Sequence, residues 1–361
     1  MADPHAGELI GRTAARVPGG DAAAAAAARV ALDAKTKPRG SLGRLEDLAC
    51  RIAAITGSVP AAPLAPVVVV CAGDHGVAAE GVSAYPQEVT GQMLRNFASG
   101  GAAVCVLARQ AGAELVVADV GVRVRAKIPG VLDRRVRAGT ANAARGPAMT
   151  LREAERAVAT GIELAAELVA HGAGIVALGE MGIANTTAAS ALTAALLDVD
   201  ADAVCGRGTG LDDGGLARKR AVVRRALAAN GVTGRDAGRD PLRTLAGVGG
   251  LEIAALAGIA LGCAARRTPV LLDGFIAAAA ALVAVRVQPR CADALIAAHR
   301  SPEPGHALIL KALRLRPLLD LGMRLGEGSG AALALPIVAG SVAILADMAS
   351  FEEAGVTDAG A

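Results

Sequence analysis

The sequence predicts an α/β fold: a mostly parallel sheet with helices on both faces, plus a smaller helical portion from the N- and C-terminal segments. Two observations carry this. From Pro66 onward, short β-branched and aliphatic runs alternate with longer helical stretches. Each run is also apolar on both faces, as a strand buried in a parallel sheet must be. The expected organisation is a large α/β domain over residues 66–302. A smaller helical domain would combine residues 1–65 with residues 303–361.

The elements follow in order. Nine of the 15 residues from 20 to 34 are alanine, a composition that favours helix. The proline and glycines of Lys37-Pro38-Arg39-Gly40-Ser41-Leu42-Gly43 break that helix. Leu45, Leu48 and Ile52 then restart one with helical spacing. Five strands are expected next. Val67–Val70 leads to Gly73-Asp74-His75-Gly76, and Leu115–Val120 ends at Gly121. Ile175–Leu178 ends at Gly179-Glu180, Val270–Leu272 at Asp273-Gly274, and Leu295–Ala298 at His299-Arg300-Ser301. Between them, the stretches from Leu151 to His171 and from Leu216 to Ala229 read as helices. The chain after Glu303 reads as wholly helical, interrupted from Gly326 to Gly330. Ligands of open α/β sheets bind at the carboxyl ends of strands. Asp74, Glu180, Asp273 and His299 are therefore candidates for one cleft.

Composition narrows the function. Of 361 residues 53% are hydrophobic, yet only Tyr85, Phe97, Phe275 and Phe351 are aromatic, so Leu, Val, Ile and Ala must fill the core. So few rings leave no stacking platform for single-stranded nucleic acid. A formal net charge of +3 gives no general attraction to DNA or to membrane surfaces. The basic run Arg123, Arg125, Lys127, Arg134, Arg135, Arg137 and Arg145 is expected to be a solvated loop. Six scattered cysteines form no CxxC pair, which suggests neither a zinc cluster nor a disulfide framework and points to a reducing cytosol. His5, Glu8 and Arg12 precede any apolar stretch, unlike a signal peptide. The stretch from Phe275 to Val285 is shorter than the roughly 20 residues of a membrane span. That from Gly328 to Ala346 is long enough, but with Pro336 and its small residues it is expected to be a buried helix. A cytoplasmic protein is the expectation.

Three segments carry chemistry. Gly179-Glu180-Met181-Gly182-Ile183-Ala184-Asn185-Thr186-Thr187 puts a carboxylate at a strand end, then Asn and Thr residues where a helix opens. Asn or Thr there can cap the helix, and its free N–H groups and dipole suit a phosphate. An ordinary capped helix accounts for the same residues. Gly206-Arg207-Gly208-Thr209-Gly210-Leu211-Asp212-Asp213 matches neither the P-loop nor the dinucleotide fingerprint. Its small residues let backbone N–H groups approach an anion, with Lys219 reaching back as a point charge. A tight turn capped by Asp212 or Asp213 explains it equally well. In Leu325-Gly326-Glu327-Gly328-Ser329-Gly330-Ala331, a single carboxylate stands between glycines ahead of an apolar helix. Burial there raises a glutamate's pKa and fits it for general-base work, while an acid favourable to the helix dipole is the structural alternative. His75, His299 and His306 show no metal-ligand spacing.

Taken together, these segments resemble the nicotinate-nucleotide:dimethylbenzimidazole phosphoribosyltransferase family, whose product is the lower-ligand nucleotide of cobalamin. Further matches are Lys37 to Glu46, Ala72-Gly73-Asp74-His75-Gly76-Val77, and Ser83-Ala84-Tyr85-Pro86-Gln87-Glu88-Val89-Thr90. Leu272-Asp273-Gly274-Phe275 and Glu303-Pro304-Gly305-His306 complete them. The resemblance implies an α/β enzyme, a homodimer with no metal or organic cofactor. It implies transfer of the phosphoribosyl group of nicotinate mononucleotide to 5,6-dimethylbenzimidazole, giving α-ribazole 5′-phosphate and nicotinate. It assigns Glu327 and Glu180 as catalytic carboxylates. Gly182, Asn185, Thr186, Gly208, Thr209, Gly210 and Lys219 fall on the nucleotide-phosphate side, and Tyr85 and Met93 in the base pocket. Ser301 and His299, near a strand end, are candidate contacts for the nicotinate ring. A related transferase using another acceptor, such as adenine or a phenol, is the nearest alternative. A non-catalytic carrier of nicotinate nucleotides is the alternative of a different class.

Overall fold

The computed structural model describes residues 5–124, 127–234 and 239–357. Six parallel strands form one sheet: β1 (Pro66–Gly73), β2 (Glu114–Gly121), β3 (Val131–Asp133), β4 (Ile175–Met181), β5 (Val270–Leu272) and β6 (Leu295–Ala297). Their spatial order is β3-β2-β1-β4-β5-β6. The chain thus winds one way from β1 and the other way from β4. The point of reversal lies between these two strands, paired from Pro66 against Ile175 to Ala72 against Met181. Such a reversal opens a crevice at the carboxyl ends of the strands, where loops diverge to either side.

The five expected strands are present, and β3 is added. It lies inside the basic run that was expected to be a solvated loop; that expectation is corrected from Val131 to Arg137, while Arg123, Lys127 and Arg145 are exposed outside any helix or strand. Val131 to Asp133 pair with Val117 to Asp119. The flanking arginines are tied down: Arg135 to Asp119 at 2.7 Å, Arg137 to Glu153 at 3.0 Å and Arg134 to Glu167. Arg125 lies outside the described residues.

Helices cover both faces. Leu251–Ala264 lies against β1, β2 and β4 and packs along Leu151–Ala170. Small residues permit this in a core almost without aromatics: a Cβ on Gly161 would collide with the Ala255 carbonyl oxygen. Ala103–Gln110 and Ser329–Asp347 pack together, the first against β2 and the second against β1 and β4. Ser329–Asp347 is the one helix among the described residues long and apolar enough to cross a membrane, and 56% of its most apolar window is buried inside the molecule.

Segments from both chain ends meet as well. Ala24, Ala28 and Leu32 of Ala22–Asp33, Ala49, Cys50 and Ala53 of Arg44–Thr56, and Leu345 form an apolar cluster of their own. Beside it the buried Glu46 binds Lys37 at 2.8 Å and Arg29 at 2.9 Å. The helix Ala6–Ala15, by contrast, packs on Leu151–Ala170.

The chain after Glu303 is not wholly helical. Pro304–Ala312 is a helix, but residues 313–328 are irregular before Ser329–Asp347 begins. Arg314 adopts φ 53° and Gly322 φ 65°, both outside helix geometry, and Pro317 lacks a donor. The segment satisfies its backbone against the end of β6 instead. Leu319 N donates to the Ala298 carbonyl and Arg300 N to the Leu319 carbonyl. This crossing carries residues 324–327 back over the strand ends.

Candidate active site

A cavity of about 360 Å³ opens at the carboxyl ends of β4, β5 and β6. Its walls come from the loops after these strands, the first turns of the helices after β4 and β5, Tyr85 and the helix Glu88–Ala98, the turn at Gly208 and Thr209, and residues 324–327. Ten of the twelve site residues expected from the sequence line it: Tyr85, Met93, Glu180, Gly182, Asn185, Thr186, Gly208, Thr209, Ser301 and Glu327. Gly210 and Lys219 do not. Gly210 lies farther along the exposed turn. Lys219 is fully buried behind the cavity wall, where its Nζ donates to Thr186 Oγ1 at 2.9 Å and to the Gly206 carbonyl at 3.0 Å.

Glu180 is the penultimate residue of β4 and is buried. The Asn185 side-chain amide donates to its carboxylate. Burial pushes the Glu180 pKa up to about 8; Asn185 opposes the shift, and the charges of Asp273, Glu252 and Glu327 add to it. The carboxyl group therefore holds its proton at neutral pH. This use of Asn185 corrects the expectation that Asn185 or Thr186 caps the following helix. Asn185–Leu197 has no side-chain cap, and its N-cap residue Ala184 takes a left-handed φ of 75°. No side chain caps the helix N-terminus at the cavity, although Asn185 N and Thr187 N already donate to the Gly182 and Ala184 carbonyls; its dipole still favours an anion there.

Facing it is the turn at Gly208, which has φ 52°. Asp212 caps the next helix by accepting from Gly215 N at 2.7 Å, so the capped-turn reading of this segment holds. Lys219 from that helix still places its ammonium directly behind Thr186 and Gly208. Burial lowers its pKa, and the charge of Glu303 works the other way.

Glu327 also lines the cavity, with φ 64°, uncommon for a non-glycine residue. Its pKa is raised by burial; the Val104 backbone N–H lowers it and the Asp273 charge raises it. Its Oε2 is buried with no hydrogen-bond partner. The expectation of a buried glutamate with raised proton affinity agrees with this setting. Gly326 passes so close to Glu180 that a Cβ there would lie 2.5 Å from Oε1. The two carboxylates thus share one side of the cavity.

Of the four strand-end candidates, Glu180 and His299 line the cavity, and Asp273 lies buried immediately below it. Asp74 does not join them, which corrects the single-cleft expectation. It turns toward β2, where its carboxylate accepts from Arg123 N at 2.8 Å, and it lines a separate depression with Gln87, Gln92 and Arg95. Sequence reasoning missed Glu303 and Arg324 as site residues. Glu303 Oε1 accepts from Gly208 N at 2.9 Å, and an Arg324 N–H donates to the Gly208 carbonyl at 3.2 Å. In sequence, Glu303-Pro304 marks the start of a helix and a segment of the family resemblance, but gives Glu303 no role of its own. All six cysteines are buried and free. Among the described residues no group of three or more His, Cys, Asp or Glu side chains is placed to hold a metal ion.

The phosphoribosyltransferase family profile matches residues 17–356. A nicotinate-nucleotide–dimethylbenzimidazole phosphoribosyltransferase of Azotobacter vinelandii is 56% identical over 327 residues, covering 90% of this chain and 92% of the relative. The protein of the same name from Desulforudis audaxviator is 51% identical over 98% of this chain and 99% of its own length. Among solved structures, a phosphoribosyltransferase of that name from Thermus thermophilus superposes with a TM-score of 0.87 at 50% identity, covering 94% of this chain and 99% of its own. A structure of CobT from the same organism gives a TM-score of 0.88 at 52% identity, covering 93% and 99%. Matches of this identity over nearly the full length, on the same fold, show that the chain belongs to the nicotinate-nucleotide–dimethylbenzimidazole phosphoribosyltransferase family.

Proposed function

We infer that the chain transfers the phosphoribosyl group of nicotinate mononucleotide to 5,6-dimethylbenzimidazole, giving α-ribazole 5′-phosphate and nicotinate. One observation carries this beyond the family match. A single cavity joins an uncapped helix N-terminus, suited to a phosphate, to two buried carboxylates of raised proton affinity.

In this reading the donor phosphate lies in the cavity between the start of the helix Asn185–Leu197, at Gly182 and Thr186, and the turn at Gly208 and Thr209. Lys219 supplies positive charge from behind. Tyr85 and Met93 enclose the acceptor base, and Ser301 contacts the nicotinate ring. One benzimidazole nitrogen attacks the anomeric carbon as the bond to nicotinate breaks. The electron pair of that bond neutralises the pyridinium nitrogen. The second benzimidazole nitrogen gives its proton to Glu327. A positioned base contributes typically about 10²–10⁴-fold. The donor's positive ring favours the ionised form of Glu180, which then faces the charge developing on the sugar. Alignment of two flat bases across one sugar supplies much of the remainder.

The same reading makes the protein a cytoplasmic homodimer that needs neither metal nor organic cofactor and engages neither nucleic acid nor membrane. It treats residues 66–302 as the large domain and residues 1–65 with 303–361 as the smaller one. Sedimentation at micromolar concentration tests the dimer. The reaction is tested by incubating the protein with both substrates and separating the products by chromatography. Nicotinate and a new nucleotide should appear in equal amounts, and only when the benzimidazole is present. Tight donor binding without nicotinate release, whatever acceptor is offered, would point instead to a nucleotide carrier.

A further inference from the structure

Glu327 holds a left-handed backbone conformation on a loop with no side-chain cap of its own. The N-cap of the helix Ser329–Asp347 is Gly328, which has no side chain to offer. A glutamate in that conformation persists only where its surroundings over-determine it. Here the loop is gripped from two sides. Against β4 there is room only for glycine: a Cβ on Gly179 would collide with the Glu327 carbonyl oxygen. Against β6 the ring of His299 abuts Gly330, where a Cβ would collide with Cδ2. From β5, between them, Asp273 reaches the first turn. Its Oδ2 accepts from Gly328 N at 3.3 Å and its Oδ1 from Ala331 N at 3.0 Å.

We propose that Asp273 is a positioning residue for Glu327: from the end of β5 it caps the helix Ser329–Asp347 through Gly328 and Ala331, and so fixes the turn that presents Glu327 to the cavity. The capping carboxylate comes from another element, 55 residues away from Gly328 in sequence. Two donors on one carboxylate set both the height and the rotation of the turn. That bond pair sets the turn, and the close contact with Gly179 and the Val104 N–H on the Glu327 carboxylate act with it to place Glu327 relative to β4, and hence to Glu180. Asp273 is itself 2% exposed. The titratable and charged groups around it are His299, whose Nε2 is 3.5 Å from Oδ1, and the carboxyl groups of Glu180 and Glu327. Glu252 acts on Glu180 from the helix Leu251–Ala264. After burial, the Asp273 charge is one of the influences that raise the proton affinity of Glu327.

The proposal rests on Glu327 being the proton acceptor, and the test separates the two. Asp273→Asn retains one acceptor oxygen and sets an amide N–H₂ against the second donor. A loop displaced by a fraction of an ångström should lower kcat by about tenfold or more, with donor KM held within about threefold. Removing the charge also lowers the proton affinity of Glu327, so the acid limb of kcat/KM should move to lower pH. A purely structural residue would not move that limb. In a Glu327→Gln background, Asp273→Asn should add no further loss. Wild-type kcat with an unmoved limb, or an equal loss in the Glu327→Gln background, would overturn the proposal. Full activity of Glu327→Gln by itself would instead overturn the base assignment. If Asp273→Asn does not fold, Asp273→Glu is read in the same assay. It keeps the charge and displaces both oxygens, so kcat should fall while the limb stays in place; wild-type kcat would count against the proposal.

Discussion

Replacing Glu180 by Gln should stabilise the ligand-free protein, and increasingly so as pH rises. The carboxyl group is 6% exposed and accepts from the Asn185 amide. Its folded-state pKa of about 8 lies above the ordinary value of 4.5, chiefly because burial penalises the charge. A raised pKa means that the native state keeps a proton the unfolded chain has released. The favourable contribution is therefore complete below pH 4.5 and is lost as pH climbs toward 8. One proton of difference corresponds to about 1.4 kcal/mol per pH unit. Across the full window the loss is on the order of 4–5 kcal/mol. Glutamine retains an oxygen for Asn185 and never ionises, so it escapes this loss. Urea unfolding of both proteins at half-unit steps from about pH 5.5 to 7.5 measures the difference. The stability gap should widen in favour of Glu180→Gln by about 1–1.4 kcal/mol per pH unit. Parallel stability curves would refute the reasoning, since Glu180 would then titrate alike in both states.

Two further outcomes follow from the same geometry. Glu327 must be ionised to accept a proton, and burial raises its pKa. The acid limb of kcat/KM should therefore lie above the ordinary carboxylate range, and a limb near about pH 4 would exclude Glu327 as the group observed. Lys219→Met keeps most of the buried stem but removes the charge behind Thr186 and Gly206. Donor KM should rise about tenfold or more while kcat changes less, and the protein should lose about 1–3 kcal/mol of stability as the Gly206 carbonyl loses its donor. Donor titration and thermal unfolding check these two effects, and an unchanged KM would remove Lys219 from the phosphate site.

The sheet is legible in the sequence because five of its strands are uninterrupted apolar runs that no helix period explains. The sixth strand, β3, is not, because its three residues are at most half-buried and sit among arginines. Pairing with β2 and ion pairs to Asp119 and Glu153 create it, and none of these is local in sequence. The segment after Ala312 reads as helix from its leucines, although Pro317 and Gly322 stand within it and break it. Glu180 and Glu327 can be found from sequence because a lone carboxylate among glycines is a local signal. Glu303 and Arg324 act on the backbone of Gly208 from 95 and 116 residues away, and no local pattern encodes that. Asp74 shows the converse limit. A polar residue at a strand end is easily recognised, but which side of the sheet it serves depends on the neighbouring strand.

Glu327 takes the acceptor's proton in the proposed reaction, and single-turnover nicotinate release by Glu327→Gln tests that most directly. With enzyme in excess over nicotinate mononucleotide and the benzimidazole saturating, the rate should fall by about 10²–10⁴-fold while donor affinity stays near wild type. Release at the wild-type rate would contradict the account, because a glutamine amide cannot accept that proton.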